Sequence, residues 1–195
     1  LLVVLLAVAY HPLGAWLARV FTDTRHWRAE RVVYRLVRVD PDSEQGWRAY
    51  ATSVVAFSVA GTVVLFALIV TQTPLPGRQG SAGMGVTTAL NTAVSFVTNT
   101  NWQSYAGEAG ATPLVQTRGL TVQNFVSAAV GLAVAMALIR ALARHSAHSI
   151  GNFWVDLVRG VVRVLLPGSL VAAVLLLAGG VIQNFRAPLG VNGLS

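Results

Sequence analysis

The sequence predicts an all-α membrane protein, on three observations. Of its 195 residues, 54% are hydrophobic and only 11% charged, with a mean hydropathy of +0.62, against about 25% charged in ordinary soluble domains. Four segments, 1–18, 50–70, 120–139 and 164–182, are apolar and free of charge, each near the roughly 20 residues that a helix needs to cross a bilayer. The charges fall between these segments: 14 basic residues, all arginine, against 7 acidic ones leave a net charge of +7. A soluble enzyme is thereby excluded, and membrane topology accounts for the arginines better than nucleic-acid binding does. With no cysteine, disulfides, thiolate metal sites and cysteine nucleophiles are excluded as well.

The first apolar run, 1–18, reads as a transmembrane helix. The small residues Ala7 and Ala9 suggest a signal-peptide core, but no basic region precedes them and the run continues past any cleavage point. Beginning without methionine inside this run, the chain is expected to be part of a longer protein. Residues 19–49 form a loop carrying Arg19, Arg25, Arg28, Arg31, Arg35, Arg38 and Arg48. The arginines at 25, 28, 31, 35 and 38 recur at three- and four-residue intervals, which predicts one basic face of an amphipathic helix. Two readings fit that face: a helix on anionic headgroups, or a docking surface for a soluble partner.

After the second span, 50–70, comes an apolar stretch at 84–97 that is too short to cross and carries Asn91 and Ser95 one turn apart. Its length predicts a re-entrant or interfacial helix. The third span, 120–139, shows Gln123, Ser127, Gly131 and Ala135 at intervals of four, with Asn124 beside the first. This face suits close packing against the short helix, and its amides need partners, of which the nearby loop amides are the nearest; interhelical hydrogen bonding is the competing account. Between 140 and 163 lie a loop and the start of a helix, where Asp156, Arg159 and Arg163 are read as an intrahelical pair with snorkelling arginines. His145 and His148 are read there as interfacial polar residues rather than metal ligands. The fourth span, 164–182, leads to an extracytoplasmic segment, 183–195. Eleven of the 14 arginines then share one side, which the positive-inside rule assigns to the cytoplasm; Arg78, Arg118 and Arg186 remain outside.

Chemistry concentrates in the loop 98–105, Thr98-Asn99-Thr100-Asn101-Trp102-Gln103-Ser104-Tyr105, almost entirely amides and hydroxyls. At membrane depth, irregular backbone is tolerated only inside protein or beside water. Span, short helix, polar loop and span together make a potassium-channel-like unit, in which backbone carbonyls replace the hydration shell of a cation. Uncharged oxygens suit a weakly hydrated monovalent ion, whereas a divalent ion more often recruits carboxylates. Glu108, beyond the loop, either attracts cations or is simply solvated. An outer turn beside an interfacial helix fits the same spacing.

The run from Asn91 through Tyr105, followed by Gly107-Glu108, Gly119-Leu-Thr-Val-Gln-Asn-Phe125 and Ser127-Ala-Ala129, resembles the family of potassium-binding A subunits of the bacterial Kdp potassium-transporting ATPase. Weaker likeness extends to Pro12-Leu13-Gly14, to 30–35 and to 152–157, while Pro113, Val115, Thr117 and Arg118 depart from the family pattern. The resemblance implies a potassium-binding and translocating subunit of an ATP-driven, high-affinity import complex in the bacterial plasma membrane, with this chain carrying the first of four filter segments. It maps Thr98, Asn99, Thr100 and Asn101 onto the first filter strand and Gln103 beside the ion path; Asn91, Ser95, Gln123 and Asn124 are expected to support them from the short helix and the third span. It implies potassium as the bound ion, a P-type B subunit as the site of ATP hydrolysis, C and F subunits as further partners, lipid around the spans and no nucleic acid. Two alternatives stand beside it: a passive or ion-coupled potassium transporter subunit, and a structural membrane subunit whose loop only clamps helices. The chain itself has neither a P-loop nor the Asp-Lys-Thr-Gly-Thr phosphorylation motif.

Overall fold

The computed structural model describes residues 2–72, 83–143 and 149–181. Arg78, Arg144, His145, His148, Arg186 and the 183–195 segment lie outside the described residues, as does the side chain of Glu108. Among the described residues four helices are long and apolar enough to cross a membrane: α1 (Leu2–Thr22), α3 (Trp47–Val70), α6 (Val115–Ala143) and α7 (Phe153–Ala178). Between them lie α2 (Arg28–Leu36), α4 (Val86–Val97) and the single turn α5 (Gly107–Gly110). Among the described residues the only β pairing is one antiparallel bridge, Gln45 to Gly151, so the all-α membrane class holds.

Local chemistry sets the ends of these helices. Asn152 caps α7, its Oδ1 accepting from the backbone N–H groups of Trp154 (3.0 Å) and Val155 (3.5 Å). Its Nδ2 donates to the carbonyls of Asp40 and Ser43, so one side chain both starts a span and ties down the basic loop. Glu30 closes the first turn of α2 by accepting from the Trp27 backbone N–H at 2.8 Å. Both α6 and α7 contain π-helical turns, at Val115–Leu120 and Gly160–Leu165, a feature frequent at functional positions.

Two cores stack along the bundle. At one end, Leu65 and Ile69 of α3 pack with Ala89, Ala93 and Phe96 of α4 and with Ala111, Val115 and Leu120. Gly119 permits the close approach there, because a Cβ would lie 2.8 Å from Leu68 Cδ2 and 3.2 Å from Leu65 Cδ1. Towards the other end, Tyr50, Ala129, Ala133, Ala137, Phe153 and Leu157 form a second core, with Phe57 and Trp154 edge-on to Phe153. A third, smaller cluster seats α2 on α7 through Tyr34, Val155 and Val158. Burial first, then the charge of Glu30, push the Tyr34 hydroxyl up to about 12, so it stays neutral.

The arginine-rich end departs from expectation in two ways. The basic face at 25, 28, 31, 35 and 38 is interrupted: α2 holds only Arg28, Arg31 and Arg35, Arg25 precedes it, and Arg38 turns left-handed at φ 55°. The intrahelical reading of Asp156 and Arg159 is also corrected. Asp156, 1% exposed, is gripped by both terminal nitrogens of Arg140 on α6 at 2.6 and 2.8 Å, with the Tyr50 hydroxyl 3.1 Å from Oδ2. Arg159 instead donates to the carbonyls of Phe21 and Asp23 at the end of α1. Arg163 forks onto the Glu30 carboxylate, reaches Asp23 Oδ2 at 2.7 Å and the Arg25 carbonyl at 2.6 Å, and lies 4.6 Å from the Trp27 ring centre. Arg140 reaches Asp156 from another helix and its planar guanidinium meets both carboxylate oxygens at once.

Candidate functional site

The short helix α4 is half-buried. Ala89, Thr92, Ala93, Ser95, Phe96 and Val97 face the bundle, while Val86, Leu90, Asn91 and Val94 are exposed. Its last turn hands over to the polar loop through Ser95. The Ser95 carbonyl accepts from the backbone N–H groups of Thr100 (2.9 Å) and Asn101 (3.1 Å), and its Oγ donates to the Trp102 carbonyl at 2.9 Å. The loop is thus pulled back over the helix end by one buried serine.

This folding-back sets an unusual backbone. Asn99 and Asn101 are left-handed, at φ 58° and 57°, while Thr98 between them and the helix is at φ −81° and Thr100 is not among the positive-φ residues. Asparagine is among the few side chains that adopt this region readily. Alternating handedness turns successive peptide units so that neighbouring amides face one way and their carbonyls the other. Two of those amides are satisfied by Ser95, and none of the described hydrogen bonds falls on the carbonyls of Thr98, Asn99, Thr100 or Asn101. Side chains brace the strand: Thr98 Oγ1 lies 2.9 Å from Thr100 Oγ1, and Asn101 Nδ2 donates to Asn99 Oδ1 at 3.3 Å.

The other residues singled out by the sequence fall around this strand in different ways. Thr98, Thr100, Asn91 and Ser95 line one cleft with Trp102. Asn101, Gln103 and Asn124 line another, of about 320 Å³, together with Gln116. Gln123 stands apart from the loop amides: its side chain lies over Gly61 of α3 and beside Val97, and a Cβ at Gly61 would come within 3.4 Å of its Oε1. From the polar face of α6, Ser127 meets the loop instead, with Oγ 3.2 Å from Asn99 Oδ1.

Sequence reasoning missed two glutamines that hold the loop's outer part. Gln72, fully buried beyond the end of α3, donates to the Gly110 carbonyl at 3.1 Å and accepts from the Thr112 backbone N–H at 2.9 Å. Gln116 donates to the carbonyls of Gly107 (3.1 Å) and Ala111 (2.9 Å). A lone amide at the edge of an apolar run was the signal available for each. Gln72→Leu removes both partners of a buried peptide segment, and the expected loss is about 1–3 kcal/mol. Denaturant-dependent unfolding in detergent measures it; a loss under about 0.5 kcal/mol would show that water replaces the amide.

Fold and site together define a multi-pass membrane protein in which a short helix presents an uncharged, carbonyl-rich strand. Residues 1–195 match the family described as the potassium-transporting ATPase A subunit, and the chain belongs to that family. Proteins named potassium-transporting ATPase potassium-binding subunit are similar to it at high identity. One from Mycobacterium sp. (strain KMS) is 56% identical over 182 residues, 92% of this chain and 33% of the relative. One from Kineococcus radiotolerans is 57% identical over 185 residues, 95% of this chain and 33% of the relative, and one from Streptomyces coelicolor is 56% identical over 180 residues, covering 92% and 32%. The chain therefore spans about a third of the length of these relatives.

Proposed function

We propose that this chain supplies the first of four filter segments in the potassium-binding subunit of an ATP-driven potassium importer of the bacterial plasma membrane. The arginine-rich loops face the cytoplasm, the polar loop opens outward, and ATP hydrolysis belongs to a separate B subunit assembled with C and F subunits. The observation that carries the reading is the strand Thr98–Asn101, left-handed at Asn99 and Asn101, whose carbonyls take no donor among the described residues. Such carbonyls replace the water lost when a potassium ion sheds its hydration shell. The C-terminal end of α4, carrying roughly half a negative charge, points at the same place and favours a cation further. The absence of carboxylates along Thr98–Gln103 matches a monovalent rather than a divalent ion. One strand covers only part of an ion's surface, so a complete site takes a ring of oxygens from several loops, and the remaining segments come from the rest of the subunit.

Gln103→Arg tests the assignment. A guanidinium placed in the cleft that Gln103 shares with Asn101 and Asn124 repels a cation there by about 2 kcal/mol at a separation of roughly 8 Å and an effective dielectric of about 20. The complete gene product, expressed in a host lacking other potassium uptake, should show a half-saturating potassium concentration raised more than tenfold. An unchanged value would remove Gln103 from the ion path. Uptake that survives deletion of the ATPase subunit would favour the passive or ion-coupled alternative.

A further inference from the structure

We propose that Ser127 of α6 is a positioning residue for the filter, holding the Asn99–Asn101 pair in its left-handed conformation and so setting ion discrimination from outside the strand. The proposal rests on the filter reading above. Left-handed backbone costs asparagine less than most residues with a Cβ but is not its preferred state, and two such residues within three positions are best held where the surroundings bond to them. Among the described residues the side chains of the two meet in one bond, from Asn101 Nδ2 to Asn99 Oδ1, while the Ser95 carbonyl takes the Asn101 backbone N–H. Ser127 adds a side-chain brace from a second helix. It is 3% exposed, belongs to a different helix, and places Oγ 3.2 Å from the same Asn99 oxygen. That oxygen is the point where α6, Asn99 and Asn101 meet.

The local chemistry of Ser127 makes the role separable from folding. Its Oγ also lies 3.2 Å from the Asn124 carbonyl one turn back, so its single proton is shared between the helix and the filter. Ser127→Ala leaves no donor stranded in α6, because the hydroxyl itself is removed. What is lost is one of the two contacts at Asn99 Oδ1, and the deficit falls on the strand. By contrast, Gln123, the larger polar side chain on the same face, lies over Gly61.

The test uses the complete gene product in its assembled complex, with potassium and rubidium as probes. Ser127→Ala should raise the half-saturating potassium concentration about fivefold, the effect of one net hydrogen bond. It should also narrow the preference of potassium over rubidium, with the maximal rate and the yield of assembled complex unchanged. Ser127→Thr, which restores the hydroxyl, should recover both. Asn99→Gly keeps a left-handed backbone without the side chain, so adding Ser127→Ala to it should produce no further change. Unaltered affinity and discrimination in Ser127→Ala would overturn the proposal, and so would a loss confined to yield or maximal rate, which marks a packing role. If Gln103→Arg shifts affinity while Ser127→Ala does not, only the positioning role fails; if both are silent, the filter reading fails with it.

Discussion

Asp156→Ala is expected to cost the complete protein about 3–5 kcal/mol of stability, read as a lower midpoint in denaturant-dependent unfolding in detergent. Asp156 is 1% exposed and takes both terminal nitrogens of Arg140, while Arg140 also holds the carbonyls of Ile150 and Phe21. Without the carboxylate, a guanidinium whose side chain is 14% exposed keeps its charge and loses its counter-ion. The size of the effect reflects that orphaned charge rather than the net worth of the pair. A double variant, Arg140→Met with Asp156→Leu, removes both charges and should therefore cost well under half as much as the single change. A double variant as damaging as the single one would show that geometry at this position matters more than charge.

Arg163→Met is the second large effect, again about 3–5 kcal/mol, because Glu30 is fully buried and Arg163 is the cation that pairs with it. Arg163 also binds Asp23 and the Arg25 carbonyl, so the variant should loosen the whole linker between α1 and α3. Accelerated proteolysis between residues 23 and 46 checks this, and Glu30→Leu in the same chain should restore much of the loss. A pH dependence accompanies it. The backbone N–H of Arg25 first, and the Arg163 guanidinium second, hold the Asp23 carboxyl below its ordinary value. A carboxyl whose pKa is lower in the folded state stabilises fully above the unfolded value, near 4, and that contribution is lost as pH falls through the lowered folded value. In Arg163→Met the second of these causes is gone, so the Asp23 contribution to the acid limb of the stability profile should be smaller and end at a higher pH.

Features that depend on composition over a window were legible in the sequence. Apolar runs of about 20 residues announce helices whatever their neighbours, and the uncharged polar cluster at 98–105 stands out because lipid excludes it. Of the stripe from Gln123 to Ser127, the serine bonds to the loop at Asn99 while the glutamine lies over Gly61. Choices between partners were not legible. Asp156 has Arg159 one turn away and Arg140 on another helix, and spacing favours the first, yet the fold brings the guanidinium of Arg140 square to the carboxylate. Gln72 and Gln116 were silent for a related reason: each bonds backbone groups of a loop whose path no pattern discloses. The left-handed residues Asn99 and Asn101 carry only a weak signal, since asparagine tolerates that conformation without requiring it.

The ion pair between Arg163 and Glu30 joins positions 133 residues apart, and that separation imposes a schedule on synthesis. At about 5–20 residues per second, Glu30 leaves the ribosome on the order of ten seconds before Arg163 exists. Throughout that interval its carboxylate has no partner from this helix and must stay hydrated, so the linker it belongs to waits at the membrane surface. Arrival of the fourth span both supplies the counter-charge and closes the basic end, so that a helix made later locks the first.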